Sequence, residues 1–199
     1  MSIFQKSDIG AQAAWKGFSS QTLYIASRLI SDEGGYEYYP EDIEDLVVKK
    51  NGAIVEAVQV KNISADLTLS SLAATKTSKG GEGFFNRMCS LHAQNPFFHR
   101  IKVVYFNTLG VELQEMQSGK AVTQKALTKR LVDKHGLSES EAVWLIDSLC
   151  FEKVNLDDLD LNIQTQISDY VPVMSAPALA KDLLIQYISV LSKSKGYTT

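Results

Sequence analysis

The segment IEDLVVKKNGAIVEAVQVKN, residues 43–62, decides the fold of this chain. Two runs rich in β-branched residues, 43–50 and 53–62, flank the dipeptide Asn51-Gly52. Asn-Gly between two such runs is a strong hairpin signal, because both residues tolerate a positive φ. The segment therefore predicts two antiparallel strands joined by a tight turn.

Helices and further strands are predicted on both sides of this hairpin, up to residue 107. Hydrophobic periodicity and glycine breaks predict helices over 11–30, 67–78 and 84–94. Strands are predicted over 36–40 and 100–107, the second buried on both faces. The order predicts an α/β fold, with a mixed sheet in an α-β-β-β-α-β core over about 11–107.

The second half of the chain has mainly helical patterns. Helices are predicted over 121–135, 138–149, 156–170 and 177–195, with a short strand over 150–154. Ser138 and Glu141 have capping-box spacing, and the last helix carries an apolar stripe that begins at Leu179 and Leu183. We interpret residues 1–199 as a single domain with a helical elaboration over about 120–195. A chain of this kind suits the N-terminal module of a longer protein.

Composition excludes several classes of protein. The 199 residues are 45% hydrophobic, and a formal net charge of −3 restricts any nucleic-acid contact to a local patch. Cys89 and Cys150 lack the spacing of a zinc site, which predicts buried thiols and a cytoplasmic location. Since no apolar run approaches the roughly 18 residues that a membrane span requires, we expect no membrane association.

Three polar residues of the hairpin predict phosphodiester hydrolysis. Asp45 lies in an acidic cluster at the start of the first strand, and Gln59 and Lys61 lie near the end of the second. Mg²⁺ takes oxygen ligands from one or two carboxylates, together with phosphate and water oxygens. We expect Asp45 and Gln59 to bind Mg²⁺ or Mn²⁺, and Lys61 to orient the attacking hydroxide or stabilise the phosphate.

The geometry of the turn decides whether Asp45 shares a sheet face with Gln59 and Lys61. In a regular two-residue hairpin, Asp45 pairs with Val58 and points to the opposite face. A three-residue loop over 50–52, or a bulge, restores a common face. The interpretation therefore requires an odd-length turn or a bulge. Without either, the metal role shifts to Glu44 and Asp42, or the site is lost.

These residues carry a family resemblance. An acid followed one hairpin later by Gln-x-Lys resembles the PD-(D/E)XK nuclease superfamily, in the Mrr-like branch where glutamine replaces the second acid. The double-stranded DNA endonuclease domain of bacterial antiphage defence effectors, including CD-NTase-associated ones, is similar in more segments. These segments are Gly17-Phe18-Ser19-Ser20-Gln21, Glu41 with Glu44-Asp45, and Gln59-Val60-Lys61-Asn62.

The resemblance implies a restriction-endonuclease-like fold that cleaves double-stranded DNA. It implies Asp45 and Gln59 as metal ligands, Lys61 as the catalytic lysine, and Gln21 or Glu41 as outer site residues. It also implies activation by oligomerisation, or by a sensor or NTPase domain in the same or a partner chain.

Several alternatives stay open. Lys76, Lys79 and Arg87 flank a glycine cluster and are candidates for DNA phosphate contacts, or for an ordinary solvated basic face. Gln21 is equally a candidate for a satisfied core amide. The rival function is a nuclease-like fold kept for DNA binding or partner assembly, and RNA is an alternative substrate.

Overall fold

The structure is a computed structural model that describes residues 3–32, 34–40, 43–74, 82–170 and 177–194. Five strands are found among them: β1 Glu37–Pro40, β2 Leu46–Lys50, β3 Ala53–Lys61, β4 Arg100–Tyr105 and β5 Leu149–Lys153. The helices in these ranges are α1 Ile3–Ile30, α2 Leu69–Ala73, α3 Phe84–Gln94, α4 Val111–Gln117, α5 Ala121–His135, α6 Glu139–Ser148, α7 Leu156–Tyr170 and α8 Pro177–Ser194.

The strands form one mixed sheet in the order β1-β2-β3-β4-β5. The pairs β1/β2 and β2/β3 are antiparallel, whereas β3/β4 and β4/β5 are parallel. β3 is therefore the central strand, and its carboxyl end lies beside the carboxyl ends of β4 and β5. The start of β2 lies at the same end of the sheet, because β2 runs in the opposite direction.

Helices cover both faces of this sheet, each over its own apolar core. The first core joins α2 to α6 with sheet residues such as Val47, Ala57 and Val103. The second core joins α1, α7 and α8 with Val58 and Val104. Adjacent strand residues alternate between the two cores, as the two-residue period of a strand requires. The mixed α/β architecture predicted from the sequence is confirmed.

The hairpin turn is a two-residue turn followed by a bulge. Asn51 and Gly52 both have positive φ, 52° and 77°, as the predicted type of turn requires. Lys49 pairs with Ile54, but Val48 pairs with Glu56, so that β3 contributes one extra residue at Val55. The bulge moves every later pair of this ladder by one residue.

Most helix boundaries follow the sequence prediction. The differences lie where tertiary contacts determine the first or last residue of a helix. α3, α5 and α7 have the predicted bounds, and the Ser138–Glu141 capping box is present. α1 begins at Ile3 rather than at residue 11, and α4 was not predicted. The helix expected over 67–78 begins at Leu69, because Leu67 forms a β-bridge with Leu109. It ends at Ala73, with Ala74 as its C-cap.

Residues of the predicted core and of the predicted helical elaboration share one sheet and two apolar cores. β5 completes the parallel part of the sheet, and Phe151 lies in the first core together with Leu131 of α5 and Leu145 of α6. Ile163 of α7 is fully buried in the second core. Both halves of the chain therefore build the same two cores.

α8 presents a different apolar face to the core than its stripe suggested. Leu179, Leu183 and Tyr187 of the stripe are each more than half exposed, and Ile188 is the fully buried residue. Leu184 and Ile185 pack beside it against the second core. No helix in the described ranges is long and apolar enough to span a membrane.

Candidate functional site

Asp45, Gln59 and Lys61 lie at one end of the sheet and on one face. The ladder pairs Leu46 with Val58, so that Asp45, just before β2, lies beside Gln59. Gln59 and Lys61 alternate with Val58 and Val60, whose side chains enter the second core, and therefore face the first. The bulge at Val55 meets the requirement, derived from the sequence, of an odd-length turn or a bulge for a common face.

Direct contacts hold Asp45 against β3. The Gln59 amide Nε2 donates a hydrogen bond to Asp45 Oδ2, and the Val60 backbone N–H donates to the same oxygen at 2.6 Å. Gln59 is only 4% exposed, while Asp45 is half-buried. Asp45 Oδ2 thus takes the place of a backbone carbonyl as the acceptor for the Val60 N–H. The two hydrogen bonds fix the position of the carboxylate relative to β3.

Lys61 lies in an electrostatic field shared with three other charged side chains. Burial lowers the pKa of the Lys61 ammonium below its ordinary value, because desolvation penalises the charged form. The carboxylates of Asp45 and Glu44 oppose this shift, and the Arg87 guanidinium adds to it. Two carboxylates, of Asp45 and Glu44, and two cations, Lys61 and Arg87, therefore interact near the carboxyl end of β3.

Arg87, for which the sequence left open a DNA phosphate contact or a solvated basic face, forms a buried ion pair. Its Nε donates to Glu44 Oε1 at 2.8 Å, and its Nη2 lies 2.6 Å from the same oxygen. Nη1 donates to the backbone carbonyl of Glu82 at 2.7 Å. The Arg87 and Glu44 side chains are 8% and 1% exposed. The pair fixes the segment before β2 to α3, and so supports the position of Asp45.

The sequence carries a signal for this pair. Arg87 lies on the apolar face of α3, among Phe84, Met88 and Leu91, which are all buried. A charge in such a position needs a buried partner of opposite charge. The acidic cluster before β2 supplies that partner as Glu44.

α1 lies against the other face of β3 beside the site. Asn62, the residue after β3, donates its side-chain N–H to the Ser20 hydroxyl of α1. Gln21, the next residue of α1, is half-buried. Neither Ser20 nor Asn62 was singled out as a contact from sequence. Glu41, Lys76 and Lys79 lie outside the described residues, so their roles stay predictions.

The donor set fits a hard divalent cation that keeps most of its water. Within the described ranges, no three His, Cys, Asp or Glu side chains gather to form a closed metal site. Mg²⁺ does not require one, since it is held by one or two protein oxygens together with substrate phosphate. Asp45 supplies a carboxylate, and a half-turn of the Gln59 amide exchanges its Nε2 for its Oε1. These two residues therefore fit such an ion.

Comparisons with known proteins give a fold likeness. No family model and no curated protein matches the chain. The Acinetobacter baumannii Cap4 SAVED/CARF-domain containing receptor, solved with the cyclic trinucleotide 3'3'3'-cAAA, matches with a TM-score of 0.57 at 17% identity. That match covers 88% of this chain and 41% of the receptor. A second structure of the receptor matches with a TM-score of 0.55 at 16% identity, covering 88% and 42% of the two chains. The chain thus spans about two fifths of these receptors.

Proposed function

We propose that this chain is a metal-dependent endonuclease that cleaves double-stranded DNA. The observation that carries the proposal is the contact between Asp45 and Gln59 on the sheet face that also holds Lys61. Because the Asn51-Gly52 turn has two residues, a bulge is needed to bring these three side chains to one face, and β3 has that bulge at Val55. The buried ion pair between Arg87 and Glu44 fixes the segment that carries Asp45.

Each residue has a defined task in this proposal. Asp45 and the Gln59 amide oxygen bind Mg²⁺ or Mn²⁺, which when bound supplies the positive charge that phosphodiester hydrolysis requires. The Lys61 ammonium donates hydrogen bonds to the phosphate oxygens and orients the attacking water. Gln59 is neutral, so the site keeps one negative charge fewer than a pair of acids would have.

The fold supports a restriction-endonuclease-like assignment. From α1 to β4 the described elements run α-β-β-β-α-α-β, and the three site residues lie at one end of the sheet, before β2 and near the end of β3. The likeness to Cap4 receptors concerns the fold, and it covers 41% of the receptor that holds a cyclic trinucleotide.

We further propose a role as an effector in bacterial antiphage defence. The sequence resemblance to defence endonuclease domains implies this role, and the fold likeness to Cap4 receptors agrees with it. Such a nuclease needs a control, because unrestrained cleavage would destroy the host genome. A sensor or NTPase domain, in this chain or a partner chain, or self-association, would supply that control.

One observation favours a second candidate, a nuclease-like module that binds DNA or assembles partners without cleavage. The second ligand position holds the neutral Gln59, and its amide N–H, not its oxygen, faces Asp45. A site arranged in this way has lower metal affinity than a pair of carboxylates would have. Binding of DNA that persists with no strand cleavage would identify this candidate.

Incubation of supercoiled plasmid DNA with Mg²⁺ or Mn²⁺ tests the proposal. We expect nicked and linear products that disappear when EDTA removes the metal, with no cleavage of single-stranded RNA in a parallel reaction. Cleavage of RNA alone would contradict the choice of substrate. Cleavage that persists in EDTA would contradict metal dependence, and intact plasmid at high protein concentration would favour the binding module.

A further inference from the structure

A cationic cleft lies at the turn end of the sheet, away from Asp45. It has a volume of about 330 Å³. Among its lining residues, six carry polar or ring groups: Arg28, Tyr36, Lys50, Glu56, His99 and Arg100. They come from the end of α1, the end of β2 and the starts of β3 and β4, together with the segment before β1. The proposed DNA site uses none of them.

The cleft carries an excess of positive charge. Glu56 is 5% exposed, and its two carboxylate oxygens lie 2.7 Å from Arg28 Nη1 and 3.6 Å from Arg100 Nη1. Among the lining residues, Arg28, Lys50 and Arg100 carry three positive charges against the single negative charge of Glu56. Arg100 keeps 56% of its side chain exposed, so its guanidinium remains accessible to a ligand.

Rings and the bulge shape the walls of the cleft. Lys50 Nζ lies 5.1 Å from the centre of the Tyr36 ring, and His99 is exposed beside Arg100. Val55, the extra residue of the β3 bulge, also lines the cleft. The bulge that places Asp45 on the same face as Gln59 therefore also helps to form this cleft at the opposite end of the sheet.

We propose that this cleft binds the phosphate groups of a nucleotide. Guanidinium and ammonium groups that converge on one space are the usual partners of phosphate oxygens, and charge-assisted hydrogen bonds are the strong ones. Several cations suit a chain of more than one phosphate. The Tyr36 and His99 rings supply flat surfaces for a base, and the volume lies in the range of small-molecule sites.

The cleft is separate from the proposed cleavage site. Glu56 faces α1, whereas Lys61 faces the first core on the opposite side of the sheet. Glu56 and Lys61 are five residue steps apart on β3, which is about 17 Å along the strand. The proposal therefore does not depend on nuclease activity, and a catalytically inactive protein would still bind the ligand.

Isothermal titration of the full chain with ATP, with pyrophosphate and duplex DNA in parallel, tests this proposal. We expect saturable binding of ATP that is tighter than binding of pyrophosphate, since the base adds contacts. The double variant Lys50→Ala/Arg100→Ala should weaken ATP binding by at least about tenfold, because it removes two charge-assisted partners. Lys125→Ala, which removes an exposed cation of α5, is the matched control and should bind as the wild type does.

Thermal melting of the double variant, followed by circular dichroism, checks that it stays folded. Absence of saturable ATP binding to the wild-type protein would overturn the proposal. Equal weakening by Lys125→Ala would also overturn it, because binding would then reflect surface charge alone. Duplex binding that requires Lys50 and Arg100, with ATP binding that does not, would assign the cleft to DNA instead and contradict the proposal.

Discussion

Replacement of Lys61 by alanine is expected to reduce the rate of DNA cleavage by about 100-fold or more, while DNA binding changes little. Loss of one preorganised donor at a developing negative charge has an effect of this size. Lys61 is half-buried and interacts electrostatically with Asp45 and Glu44, so no solvent cation can take its place easily. Single-turnover cleavage of a labelled duplex, with protein in excess, measures the chemical step.

Two further variants sharpen the Lys61 experiment. Lys61→Arg keeps the positive charge but changes its shape, and should retain more activity than Lys61→Ala. Lys125→Ala removes an exposed lysine of α5, far along the chain from the site, and should cleave at the wild-type rate. Equal rates for wild type and Lys61→Ala, with both proteins folded, would remove Lys61 from the mechanism.

Replacement of Arg87 by alanine is expected to lower the free energy of unfolding by about 3–5 kcal/mol. Removal of one partner leaves the other as an uncompensated buried charge, and Glu44 is only 1% exposed. The Glu82 carbonyl would lose its donor as well. Urea unfolding, followed by circular dichroism, gives this free energy directly.

The exposed pair Lys120–Glu115 provides the control for the Arg87 experiment. Its nitrogen and oxygen lie 2.9 Å apart, but the Lys120 side chain is 60% exposed. Water screens such a pair, so Lys120→Ala should change stability far less than Arg87→Ala does. If both variants lost the same stability, the ion pair of Arg87 and Glu44 would not be the structural support that we describe.

The sequence was sufficient for most of the fold because the signals were local. Asn51-Gly52 predicted the turn, and hydrophobic periodicity predicted α3, α5 and α7 with the observed bounds. α4 was missed because it has only 7 residues and is stabilised by tertiary contacts. Its Glu112 accepts hydrogen bonds from the Leu69 backbone and from Arg130, neither of which is near it in sequence.

Local pattern could not determine which face the site residues occupy. The two-residue period of a strand places Gln59 and Lys61 on one face. Whether Asp45 shares that face depends on one extra residue of β3 in the ladder. The bulge at Val55 lies in the run Ala53-Ile54-Val55-Glu56, which reads as an ordinary strand. The sequence could therefore state the condition for a common face, and only the register could show that it is met.

The role of Arg87 shows the same limit for a long-range contact. Its position near a glycine cluster suggested phosphate binding, whereas its partner Glu44 lies 43 residues earlier in the chain. Burial of a charged residue depends on which segments pack together, and the fold brings the segment before β2 into contact with α3. The sequence of α3 alone therefore shows that Arg87 needs a buried acidic partner. It does not show that this partner is Glu44.

The rate of cleavage of a duplex oligonucleotide by wild type and Asp45→Asn, over a range of Mg²⁺ concentrations, shows whether the Asp45 carboxylate holds the metal that cleavage requires. Asparagine keeps an oxygen that accepts from the Val60 N–H but removes the negative charge. We predict Mg²⁺-dependent cleavage by the wild type and a loss of about 100-fold or more in Asp45→Asn, even at saturating Mg²⁺. Cleavage by Asp45→Asn at the wild-type rate would contradict a metal-binding role for Asp45.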